Sequence, residues 1–220
     1  MVDVWQLIRT ERRALIELLE TLDDDEWTVP SLCRGWTVQD VAAHVAWAPV
    51  LSPAAAAPAL ARARFSINTM IADSAVRWSA RGRSAILDQL RSNLADDAKQ
   101  FALPPVAALA DAVVHPLDIR RPLDRPRPIP RAAFTATADF FTGASSRWPM
   151  SIPVGGSASR RIAGLRLVAD DLDWSRGQGP EVHGAAEALM LVLTGRPVEP
   201  TEPTGPGAPE LYSRLSRGRR

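Results

Sequence analysis

The sequence predicts a mainly α-helical fold with a small C-terminal α+β appendage. Three observations lead to this expectation. Apolar residues recur at helical spacing through most of residues 1–150. From Ser151 the texture changes to a glycine pair and short alternating runs, which mark turns and strands. Residues after 198 are rich in Pro, Gly and Thr, and the chain closes on Arg217-Gly-Arg-Arg220. The expected organisation is therefore a helical domain at 1–150, an α+β portion at 151–198, and a disordered linker with a basic tail at 199–220.

Taken in order, residues 3–22 carry Leu7, Ile8, Leu15, Leu18, Leu19 and Leu22 on one side, with Arg and Glu between them, and read as an amphipathic helix. Residues 23–36 form a long irregular connection that ends at a capping box, in which Thr37 caps and Asp40 reaches back. A second helix runs from there to about Ala48. Pro53 to about Ala80 reads as one long helix with Pro58 in or near its first turns, and Ser84 to about Lys99 reads as another, with Ile86, Leu87, Leu90 and Leu94 inward. Val106 to about Arg120 follows, and Pro116 predicts a kink or an early end just after His115. A proline-rich connector over 121–130 leads to a helix from Arg131 to about Arg147. In the appendage, Gly155-Gly156 marks a turn, Ile162–Ala169 a strand, and Trp174 a second short strand. Gly184–Leu193 makes an apolar helix stopped by Gly195 and Pro197.

Composition narrows the function classes. With 26 basic and 25 acidic side chains the formal charge is +1, which excludes a whole-surface polyanion binder, so no nucleic acid is expected as a partner. Only Lys99 among the basic residues is a lysine, a bias that carries no functional weight. No apolar run reaches the roughly 18 residues of a spanning helix, and the start of the chain goes straight into an amphipathic pattern. No membrane partner and a cytoplasmic location are therefore expected. The lone Cys33 excludes an internal disulfide and fits a reducing compartment.

The chemistry-bearing residues are few. Of three histidines, His115 follows Asp111 by four residues, so a helix places both side chains one turn apart on one face. That spacing suits chelation, and it equally suits a capped core histidine. His44 lies in an alanine-rich turn of another predicted helix, where an imidazole needs a partner if buried. His44, Asp111 and His115 together could hold a divalent metal and leave one position open for chemistry. Asp118 falls near the face of His115, as a carboxylate that orients the imidazole or as a surface partner of Arg120 or Arg121. His183 reads as structural or surface, Cys33 as a packing residue, and Trp27, Trp36 and Trp47 as pins that hold loops on the core.

The run Trp27-Thr-Val-Pro-Ser-Leu-Cys-Arg-Gly-Trp-Thr-Val-Gln-Asp-Val-Ala-Ala-His44 resembles the N-terminal signature of mycothiol-dependent maleylpyruvate isomerase-like proteins of the DinB superfamily. Asp111-Ala-Val-Val-His-Pro-Leu-Asp-Ile-Arg-Arg-Pro-Leu123 resembles the second signature. Asp173 to Gly184, with Leu193-Thr-Gly-Arg196, is similar to the family's C-terminal portion. The resemblance implies a DinB-like four-helix bundle whose metal, zinc ahead of nickel, is held by His44, Asp111 and His115. It departs from the pattern at Asp111, where many relatives carry glutamate, and at Pro116, where glycine is usual. It further implies mycothiol as the thiol cofactor, a small electrophilic substrate, and Arg196 as the residue that meets substrate carboxylates. Homodimers are common among DinB-like proteins, so a homodimer is open here. The expected activity is a cis-trans isomerase or a thiol S-transferase. A non-catalytic metal-binding or stress-associated protein is the rival, and an interaction module is the third reading.

Overall fold

The computed structural model describes residues 3–96, 98, 103–143 and 157–217. The chain divides into two compact units, Met1–Pro126 and Arg127–Arg220. The described elements are mainly helical, with one small three-stranded sheet.

Among its described residues the first unit holds six α-helices: α1 (Val4–Glu20), α2 (Val38–Trp47), α3 (Pro53–Arg62), α4 (Ile67–Ser79), α5 (Arg83–Ala95) and α6 (Pro105–Arg120). Asp3 caps α1 by accepting from the Trp5 N–H. In ring order α1, α5, α2 and α6 each pack on their neighbours, and α4 covers another side of α2. Their shared core is built from Leu15 and Leu19 of α1, Val41 and Val45 of α2, Ile86 and Leu90 of α5, and Ile119 of α6. Trp27, expected to pin its loop, is buried in the same core.

Two expectations for this unit need correction. The long helix read across 53–80 is two helices. Arg64 and Phe65 have φ of 52° and 64°, a left-handed backbone that no helix continues through. The Ser66 hydroxyl then accepts from the Thr69 N–H and opens α4. The apolar pattern hides the break because Ala59, Ala63 and Met70 feed one small cluster from both sides of it. Second, of the kink or early end expected after His115 the early end does not occur, and α6 runs through Pro116 to Arg120, the end read from the sequence. Pro116 deprives one carbonyl of its donor, but the turn beyond it is held by the Arg121 N–H to the Leu117 carbonyl and by complete burial of Asp118 and Ile119.

The second unit contains α7 (Arg131–Thr142), the short α8 (Ala158–Arg161), strands β1 (Arg166–Ala169), β2 (Ser175–Gly177) and β3 (Glu181–Gly184), then α9 (Ala186–Thr194) and α10 (Ala208–Arg217). The sheet order is β2-β1-β3, with β1 antiparallel to β2 and parallel to β3. The division thus falls at residue 126 rather than near 150, because α7 packs on α9 and belongs with the sheet. The stretch beyond Gly143 expected to complete α7, and the Gly155-Gly156 turn, lie outside the described residues.

Residues 199–217, expected as disordered linker and tail, are structured. Thr204 exchanges backbone hydrogen bonds with His183, and the Gly207 N–H donates to the Glu181 carbonyl, so the segment pairs with the free edge of β3. Tyr212 then donates its hydroxyl to the carbonyls of Glu199 and Pro203, and Leu211 is fully buried. The proline and glycine content signals turns here, and backbone pairing with β3 together with Leu211 and Tyr212 supplies the order.

Candidate metal centre

The site begins with the start of α2. The Thr37 hydroxyl accepts from the Asp40 N–H and the Asp40 carboxylate accepts from the Thr37 N–H, which is the capping box read from the sequence. Ala42, Ala43 and Ala46 are fully buried, and such small side chains let neighbouring helices approach α2 closely. His44 sits among them, 7% exposed, with the Trp36 and Trp47 rings 5.4 Å and 6.4 Å away.

From α6, His115 meets His44 edge-on with ring centroids 4.7 Å apart. Asp111, one turn earlier on α6, places Oδ1 3.9 Å from His115 Nε2. The ligand atoms of His44, Asp111 and His115 all lie within 4.8 Å of one another. A separation of 3.9 Å is too long for a hydrogen bond. It is close to the roughly 3.3 Å between two ligands on one tetrahedral zinc ion. Two imidazoles and a carboxylate form a donor set that suits zinc and related ions. Side-chain exposure rises from 12% at His115 to 36% at Asp111, so the group opens to solvent on the carboxylate side.

A second layer lies behind His115. Asp118 has no exposed surface, and its Oδ2 accepts from His115 Nδ1 at 3.0 Å and from the Cys33 thiol at 3.1 Å. Cys33, His115 and Asp118 also satisfy a metal-ligand spacing. Two of their separations are those of hydrogen bonds already made, whereas Asp111 and His115 stand 3.9 Å apart. Because Nδ1 is engaged by Asp118, Nε2 is the nitrogen turned toward Asp111.

Residues 8–122 match the family described as the mycothiol maleylpyruvate isomerase N-terminal domain. The chain belongs to that family. Two solved structures share its fold. A crystal structure of the mycothiol-dependent maleylpyruvate isomerase is 16% identical, with a TM-score of 0.60 over 93% of this chain and 92% of that one. A crystal structure of a histidine-to-alanine mutant under the same name is 14% identical, with a TM-score of 0.61 and the same coverage. No curated protein matches by sequence.

In this member of the mycothiol maleylpyruvate isomerase family, His44, Asp111 and His115 come together within the matched region, and Asp118 takes the orienting position rather than the surface one. Sequence reasoning treated Cys33 as packing and missed its bond to Asp118. Gly35, at φ +80°, closes the turn from Cys33 to Trp36, and nothing local in the sequence says that this turn lands on α6.

Arg196 lies just past α9, in the second unit. Its Nη1 donates to the Thr194 carbonyl and its backbone N–H to Leu191, both contacts of a helix C-terminus. Arg161 donates to the carbonyls of Val192 and Leu193 at the same end, and burial, then the charge of Arg196, pushes the Arg161 guanidinium down to about 10. His183, read as structural or surface, is partly exposed, with its ring nitrogens 3.0 Å from the Glu181 carboxylate and 3.3 Å from that of Asp170. Among the described residues no helix is long and apolar enough to cross a membrane.

Proposed function

We propose that this chain is a metal-dependent, mycothiol-using enzyme, a cis-trans isomerase or a thiol S-transferase acting on a small electrophile. The observation that carries the reading is the convergence of His44, Asp111 and His115 within the family-matched region. Zinc suits the donor set first and nickel second. A divalent ion bound there would supply a charge that keeps a coordinated thiol deprotonated near neutral pH.

The chain's own residues define the rest. His44 is fixed by burial between two tryptophans, and His115 by the Asp118 bond, so both imidazoles are held before any ligand arrives. Asp111, on the solvent side, leaves the approach from its direction open to a thiol and a substrate. Isomerase and S-transferase differ only in whether the sulfur is expelled after it adds to the activated double bond, and both suit one site. Arg196 as the residue for a substrate carboxylate belongs to the same proposal and rests on the family resemblance alone.

Elemental analysis of purified wild type beside His44→Ala and His115→Ala tests the site. Near-stoichiometric metal in the wild type, lost in both variants, supports it, and a wild type that cannot be loaded with metal overturns it. Calorimetric titration with mycothiol then tests the activity class. Affinity that appears only in the metal-loaded protein supports the enzyme, and its absence leaves the non-catalytic metal-binding reading.

A further inference from the structure

The loop Pro30–Thr37 reaches both histidines of the candidate centre, His44 through Trp36 and His115 through Asp118. Its two ends pair with each other as a bridge between Pro30 and Thr37, and inside it Ser31 donates to the Trp36 carbonyl and accepts from the Cys33 N–H. The loop is fastened to α6 at two points on one residue. The Leu32 N–H donates to the Asp118 backbone carbonyl at 3.1 Å, and the Cys33 thiol donates to the Asp118 carboxylate at 3.1 Å. From the same loop the Trp36 ring lies against His44.

We propose that Cys33 and Asp118 are a positioning pair for His115. Their bonds hold its imidazole as the Nδ1–H tautomer, with the Nε2 lone pair turned toward Asp111 and His44. The inference rests on the metal-site reading above and adds to it the thiol that supports the carboxylate.

The physical case is as follows. A fully buried carboxylate is costly unless donors surround it. Asp118 receives the imidazole N–H and the thiol S–H on the same oxygen, so that oxygen cannot turn away from His115 without losing both. In the neutral ring, a carboxylate acceptor on Nδ1 selects the tautomer whose other nitrogen is unprotonated, which is the form that can bind an ion.

The test uses the full chain without metal, labelled with nitrogen-15 histidine, at a pH where its imidazoles are neutral. Long-range proton–nitrogen correlation reads the tautomer of His115, and competition against a chromophoric chelator then measures zinc affinity. In the wild type the proton is expected on Nδ1. Asp118→Asn is expected to weaken zinc binding about 10–100-fold, the usual cost of losing a partner behind a ligand histidine. Cys33→Val keeps the apolar volume and removes the donor, whereas Cys33→Ser keeps a donor on a smaller side chain. Weakened zinc affinity in Cys33→Val, restored in Cys33→Ser, supports the pair, and the reverse order means that Cys33 only packs and overturns it. A wild-type His115 carrying its proton on Nε2 also overturns it. If Asp118→Asn does not fold, the wild-type tautomer and the Cys33 series still decide. A wild type that binds no zinc removes the metal reading, and the tautomer measurement still reports whether Asp118 sets the ring.

Discussion

Excess zinc should raise the melting temperature of the wild type and leave His44→Ala and His115→Ala unmoved. The three candidate ligands come from α2 and α6, which pack on each other in the core of the first unit, so unfolding that unit scatters them. An ion that binds only the folded form stabilises it by RT ln(1 + [M]/Kd), about 2.7 kcal/mol at one hundred times Kd. A gain of 1 kcal/mol shifts the midpoint by about 4–8 °C for a domain of 60–100 residues and by about 2–4 °C for one of 150–250. The first unit, Met1–Pro126, falls between these sizes, so the expected rise is roughly 5–15 °C. Differential scanning calorimetry of the full chain, with and without zinc, reads it directly. Each variant is compared with itself, so the cost of the substitution cancels. His183→Ala, a histidine removed from the other unit, serves as the control that keeps the rise. A wild type whose midpoint does not move, or a His44→Ala that gains as much as the wild type, would refute the assignment.

Thr37→Ala removes half of the capping box on the helix that carries His44, and should cost about 1 kcal/mol in urea denaturation. Leu211→Ala truncates a fully buried side chain of α10 and should cost about 2–5 kcal/mol. A cost within 0.5 kcal/mol would return the tail to disorder. His183 is held above its ordinary value of 6.5 by its bond to Glu181, against the opposing effect of desolvation, with a further bond to Asp170. The stability this lends the second unit is full below pH 6.5 and is lost as pH rises through the elevated value. Urea midpoints between pH 6 and 9 should therefore fall with pH in the wild type and flatten in His183→Gln.

The start of α2 and the candidate ligand residues were legible because each announces itself locally. Thr37 and Asp40 set the start of α2 through a short-range exchange of hydrogen bonds, and the spacing of Asp111 and His115 fixes their common face once the segment is helical. Most of what could not be read is either masked by the apolar pattern or set at long range. The break at Arg64 and Phe65 hides inside an uninterrupted apolar pattern. The order of residues 199–207 comes in large part from backbone pairing with β3, to which side-chain composition is blind. Cys33 reaches Asp118 across 85 positions.

The same contrast bears on how the site is made. His44 and His115 are on helices whose positions follow from the core, but a helix fixes only where a side chain starts, not how its ring is turned. The turning is done by groups from the loop between Pro30 and Thr37 and by Asp118: Trp36 against His44, Asp118 on His115, and Cys33 on Asp118. An ion with fixed ligand directions binds well only if the rings are already oriented, since otherwise part of its binding energy is spent on freezing them. The irregular loop is therefore as much a part of the candidate centre as the helices that carry His44, Asp111 and His115. Substitutions within it should weaken metal affinity before they weaken the fold.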